Sequence, residues 1–142
     1  MTFAELKQSM EEIRKQIGQL TYKTGWDKWE EFNLEDEPTD PEDKYLMDEY
    51  YWMMDKLFAV ESELDYLRKP VTLEGVLHKN ERGRYEANGR EFTSGNSLEA
   101  YVFDTVNEEY HWIHSRIEHD GEDYYIVDYS GSIEGVKVRL RR

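Results

Sequence analysis

The chain has 142 residues, 32 of them acidic against 18 basic, for a net charge of −14. That balance argues against direct binding to nucleic acid, which needs cations to displace counterions, and against an anionic membrane surface. There is no Cys, which excludes disulfides, thiolate catalysis and Cys-ligated zinc, whereas an aromatic content of 14% is too high for a disordered acidic tail.

The N-terminal stretch MTFAELKQSMEE has no apolar run behind basic residues, so it does not read as a signal peptide. No apolar stretch approaches the ~20 residues of a membrane-spanning helix. The expectation is a soluble, cytoplasmic protein. Thr2 and Glu5 have the spacing of a capping box at a helix start. Phe3, Leu6, Met10, Ile13, Ile17 and Leu20 then recur at alternating steps of three and four, one narrow apolar stripe. Gly25 is the expected end of this helix. Trp26, Trp29 and Phe32 follow at spacing three, which predicts a further helical turn or two.

The stretch EEFNLEDEPTDPED comes next, with Pro38 and Pro41 excluding a regular helix between them. Asp40, Pro41, Glu42 and Asp43 read as an N-cap, a first-turn proline and two acids that complement the helix dipole. A long helix is predicted over 41–68, stopped by Pro70. Leu46, Tyr50, Met53, Leu57, Val60, Leu64 and Leu67 form one stripe on it. Met47, Tyr51, Met54 and Phe58 form a second stripe beside it. One stripe is expected to pack on the first helix as an antiparallel hairpin and the other to need a cover from the C-terminal half or a partner subunit.

Beyond residue 70 the pattern changes to short β-rich runs separated by Gly, Asn and Asp. Asn88-Gly89 predicts a tight hairpin turn between Tyr85 and Phe92, and Asp120-Gly121 another between Ile117 and Tyr124. Val136, Val138 and Leu140 alternate with Lys137, Arg139 and Arg141. The whole reads as α+β: a helical hairpin with an acidic Pro-containing connection over 1–70, and over 71–142 a small bent antiparallel sheet or SH3-like barrel.

The quoted stretches GRYEANGREFTSGNSLEAYV, WIHSRIEHDGEDYYIVDY and GVKVRL carry, in order, a G-R-Y hairpin, an S-G-N turn, a Trp before R-I-E, a Tyr-Tyr pair and a closing Gly-x-x-Val-Arg. In these the C-terminal half resembles a small domain family of unknown function seen on mobile elements and prophages of Gram-positive bacteria. DTVNEEYH before Trp112 is less typical of it. The resemblance carries no activity. It implies a mobile-element or phage context, in which small acidic proteins block host defence.

From Asp27 to Glu49 there are eleven acidic and two basic residues. Glu30, Glu31, Glu35, Asp36, Glu37, Asp40, Glu42, Asp43, Asp48 and Glu49 are the candidate phosphate mimics, with Trp26, Trp29 and Phe32 as apolar anchors beside them. The plain alternative is a solvated linker with a helix cap. DEPTDPED lacks the Gly and the ligand spacing of a Ca²⁺ loop, and His111 and His114 fall on opposite faces of a strand, so neither metal nor cofactor is expected. Trp112 is expected to be a core anchor, Arg116 and Glu118 to join a cross-strand ion pair, one of Tyr124 and Tyr125 to face the core, and RLRR to be a charged edge strand. The nucleotide-binding, esterase and zincin motifs are absent; the expectation is no enzyme.

The leading expectation is therefore an inhibitor that docks its acidic face on the basic nucleic-acid-binding surface of a host protein, an RNA-guided nuclease or a restriction enzyme. The alternative is a protein- or peptide-binding β module, with Tyr101, Tyr110 and an exposed Tyr as its platform, carried on helices that form a homodimer.

Overall fold

Thr2 accepts a hydrogen bond from the Glu5 amide while Glu5 reaches back to the Thr2 amide, and this capping box opens helix α1, Phe3–Thr24. Gly25 ends it at φ 77°, a left-handed conformation that a side chain would strain. A single turn, α2, Trp26–Trp29, follows, and Glu30 leaves it at φ 53°. Asp40 Oδ1 accepts from the Glu42 and Asp43 amides, both at 3.0 Å, and starts α3, Pro41–Arg68. The computed structural model describes residues 1–142 as two compact units, Met1–Arg68 and Lys69–Arg142.

In the first unit α1 and α3 pack antiparallel, along a polar seam. Arg14 bridges Glu11 at 2.8 Å and Asp65 at 3.3 Å, Arg68 approaches Glu11 at 3.5 Å, and Thr21 Oγ1 donates to Glu61 at 3.3 Å. Gly18 makes this seam possible, since a Cβ there would stand 2.8 Å from Glu61 Oε1. Only Ile17, Thr21, Trp26 and Met54 of this unit are buried. Met54 belongs to the stripe expected at a subunit interface, and Tyr51 of the same stripe packs its ring 4.9 Å from Trp26. Of the first α3 stripe Tyr50, Met53, Val60 and Leu67 are exposed and Leu46, Leu57 and Leu64 half-buried. The second α3 stripe is thus the one turned toward α1, whereas the homodimer reading places it between subunits. The close polar seam at Gly18 sets the rotation of the helices, and the first α3 stripe lies about 100°, one residue, to its side.

The second unit is built from eight strands: β1 Val71–Val76, β2 His78–Lys79, β3 Tyr85–Ala87, β4 Arg90–Phe92, β5 Ser97–Asp104, β6 Glu109–His119, β7 Tyr124–Ile126 and β8 Lys137–Arg141. They form a five-stranded sheet ordered β1-β8-β5-β6-β7 and a three-stranded sheet β2-β3-β4, every pair antiparallel. The sheets share no ladder, so no barrel closes; β1 and β7 remain outer strands. The Asn88-Gly89 turn joins β3 to β4 with both residues at positive φ and Tyr85 opposite Phe92, as expected. The Asp120 carboxylate turns β6 into β7 by accepting from the Glu122 and Asp123 amides. Leu77, Phe92, Leu98, Ala100, Ile117, Ile126 and Val138 fill the core, each with an exposure of 1% or less.

Two expectations are corrected here. The RLRR strand is not an edge: β8 lies between β1 and β5, because Val138 and Leu140 supply an apolar face that an edge would leave half used. Trp112 is not in the core. It pairs with Tyr101 on the face of β5 and β6 opposite Ala100 and Val102, and the Arg139 guanidinium lies 3.9 Å over its ring. Tyr124 packs on the core and Tyr125 is exposed, as the alternation requires. Arg116 and Glu118 pair at 3.0 Å along one strand, not across two.

Candidate partner-binding surfaces

The acidic stretch begins from a folded base. Trp26 is 1% exposed, with Phe32 5.4 Å and Tyr51 4.9 Å from it. The Asn33 amide donates to the Thr24 carbonyl at 2.7 Å, which ties the chain leaving α2 back to the end of α1. Trp26 and half-buried Phe32 therefore position the segment from beneath, whereas Trp29 stands out in solvent with the Lys28 ammonium 5.8 Å from its ring.

On this base every candidate carboxylate is exposed: Glu30, Glu31, Glu35, Asp36, Glu37 and Asp40 before α3, and Glu42, Asp43, Asp48 and Glu49 on its first turns. Hydrogen bonds from the Asp43 and Glu42 amides hold the Asp40 carboxyl below the usual carboxylate range. The ion pairs of the helical unit lie at its other end, among Glu11, Arg14, Asp65 and Arg68. None involves a residue between Asp27 and Glu49, so the charge of that segment is not neutralised within the protein.

One residue was missed from sequence. Trp52 is 64% exposed and lines a groove of about 500 Å³ together with Glu31, Phe32, Met47, Asp48 and Tyr51. It sits one turn beyond Asp48 on α3 and belongs to neither apolar stripe. That exclusion is a signal which could have found it.

The β unit offers a second surface. Tyr101 stacks on Tyr110 at 5.5 Å and leans on Trp112 at 5.1 Å, and Phe103 meets Tyr110 edge-on at 5.2 Å. The cations of the last strand are already engaged beside it. Arg139 and Arg141 each donate to Glu99 at 2.7 Å, and Lys137 pairs with Glu74 at 2.9 Å. Glu99 is 5% exposed, so this strand serves a buried carboxylate. His111, 3.6 Å from Asp104, and His114 lie on opposite faces of β6. No group of three or more His, Asp or Glu is arranged to hold a metal ion, and no helix is long and apolar enough to cross a membrane.

Residues 75–140 match the model of a domain of unknown function (DUF5348). The match lies wholly within the β unit, and the helical unit with its acidic segment lies outside it. No curated protein and no solved structure matches the chain.

Proposed function

We propose that the protein is a non-enzymatic inhibitor whose helical unit docks on the basic, nucleic-acid-binding surface of a host defence protein. The supporting observation is the uncompensated charge of Asp27–Glu49, presented over an ordered aromatic base with Trp29 and Trp52 exposed beside it. Duplex DNA carries one charge per ~1.7 Å of axis, and a groove lined with Lys and Arg for such a ligand is complementary to this segment. An RNA-guided nuclease or a restriction enzyme in the host cytoplasm has such a groove. The phage or mobile-element origin rests on the family resemblance of the β unit.

Substituting Glu35→Lys, Glu37→Lys, Glu42→Lys and Asp43→Lys together tests the reading. Exposed pairs contribute roughly 0.5 kcal/mol each, and reversal replaces attraction by repulsion, so affinity for the partner falls at least tenfold. The fold persists, because these side chains touch no core residue; loss of the two first-turn acids costs α3 only about 0.3–1 kcal/mol each. Undiminished binding would refute the proposal. A second reading is favoured by the stacked Tyr101, Tyr110, Trp112 and Phe103: the β unit binds an extended peptide on this aromatic face. It requires Tyr110→Ala, not the acid reversal, to remove binding.

A further inference from the structure

The apolar stripes of α1 and α3 open on the same side of the helical hairpin. In an antiparallel pair, the residue before each seam position turns to the same side on both helices. The seam runs through Arg14, Gly18 and Thr21 against Glu61 and Asp65; of the residues before them Ile13, Leu20 and Val60 are exposed, Leu64 is half-buried and Ile17 is already buried. A groove of about 640 Å³ lies at one end of this side, lined by Leu20 from α1, by Leu46, Tyr50, Met53 and Leu57 from α3, and by Phe32, Leu34 and Pro38 of the acidic connection. The opposite side, through Lys15, Gln19, Asp55 and Ser62, is more polar, with Tyr22, Trp52 and Tyr66 as its aromatic residues.

We propose that this apolar face packs against the same face of a second copy of the chain, closing a four-helix bundle with α3 antiparallel to α3. The area fits. Phe3 is 73% exposed, Leu6, Ile13 and Leu20 43% each, Tyr50 51%, Met53 50%, Val60 41% and Leu67 60%. Large apolar side chains half open to water leave on the order of 800 Å² per copy, what each partner of a standard-size interface buries. A two-helix hairpin with a polar seam has no core of its own, and a bundle supplies one.

The period and the charges choose the second copy and its register. The α3 stripe alternates three and four, the seam of a coiled coil. Antiparallel pairing about a two-fold axis sets Leu57 on Val60, Met53 on Leu64 and Tyr50 on Leu67 of the second copy. On the outer flank of this stripe Glu49, Lys56 and Glu63 recur every seventh residue, all exposed. The same register sets Lys56 opposite Glu63 twice, once on each side of the axis, as a two-fold interface requires. A slip of one heptad in the pairing sets Lys56 on Lys56 and Glu49 on Glu63, so charge selects one alignment.

Sedimentation equilibrium of the full chain tests this. The expected mass is twice 17.1 kDa, and the melting temperature rises as protein concentration is raised about a hundredfold. Lys56→Glu weakens the dimer at least tenfold, and adding Glu63→Lys restores it; both side chains are exposed, so folding is not at stake. Because the chain lacks Cys, a mixture of Lys56→Cys and Glu63→Cys proteins forms a disulfide between copies on oxidation. A mass of 17.1 kDa at every concentration, or a dimer that Lys56→Glu leaves as tight as before, would overturn the proposal.

Discussion

The two units of this chain keep water out in opposite ways. The β unit encloses thirteen buried hydrophobic residues, from Leu77 to Leu140. The helical unit, nearly as long, buries Ile17, Thr21, Trp26 and Met54 and leaves whole apolar stripes and an acidic segment in solvent. The β unit is built as a self-sufficient fold. The helical unit is built as a surface. Exposed apolar area on this scale marks an interaction site in a folded protein, so functional expectation concentrates on the half that packs less.

That contrast breaks most sharply at the β core. Phe92→Ala empties a fully buried ring site and costs about 3–5 kcal/mol; chemical denaturation followed by tryptophan and tyrosine fluorescence checks it. Loss of less than 1 kcal/mol would mean that this core is not what holds the unit. Next is Glu99→Ala, which strands the guanidinium groups of Arg139 and Arg141 around a missing carboxylate. The expected cost is about 3 kcal/mol, measured the same way.

The helical unit responds less. Asp40→Ala removes the cap of α3 and costs about 1 kcal/mol of stability, read from the helical signal in circular dichroism during denaturation. The smallest effect is one of pH. The Arg14 hydrogen bond lowers the Glu11 carboxyl from 4.5 to about 2. A carboxyl depressed in the folded state stabilises it fully above pH ~4.5, and that stabilisation is lost as pH falls toward the folded value. The urea midpoint of the helical unit should therefore drop between pH 5 and 2, and Glu11→Gln should flatten that part of the profile.

Local signals in the chain located most of the elements. The Thr2 capping box, Gly25, Asp40-Pro41 and the Asn88-Gly89 and Asp120-Gly121 turns all act through the backbone of their own neighbourhood, and all stand where they were expected. The misreadings involve residues distant in sequence. The rotation of α3 against α1 depends on Gly18 admitting Glu61, a contact across 43 positions that no periodicity displays. The inner place of β8 depends on pairing with β1, more than 60 residues earlier. Trp112 is not the expected core anchor: alternation from Ile113 and Ile117 puts it on the other face, under Arg139. In the acidic segment the exposure of the carboxylates was legible, as charge density keeps them in water. Its ordered base was only hinted at by Trp26 and Phe32, and the split of Trp26 inward from Trp29 outward came from the left-handed turns at Gly25 and Glu30.

The most direct test of the central proposal is a pull-down of tagged protein from host lysate at low and high salt, with and without nuclease, beside the fourfold Lys variant. The expected result is a nucleic-acid-binding protein that wild type retains at low salt, releases at high salt and captures better after nuclease, and that the variant does not hold. Capture indifferent to salt and nuclease, or equal capture by the variant, would contradict it and move attention to the aromatic face of the β unit.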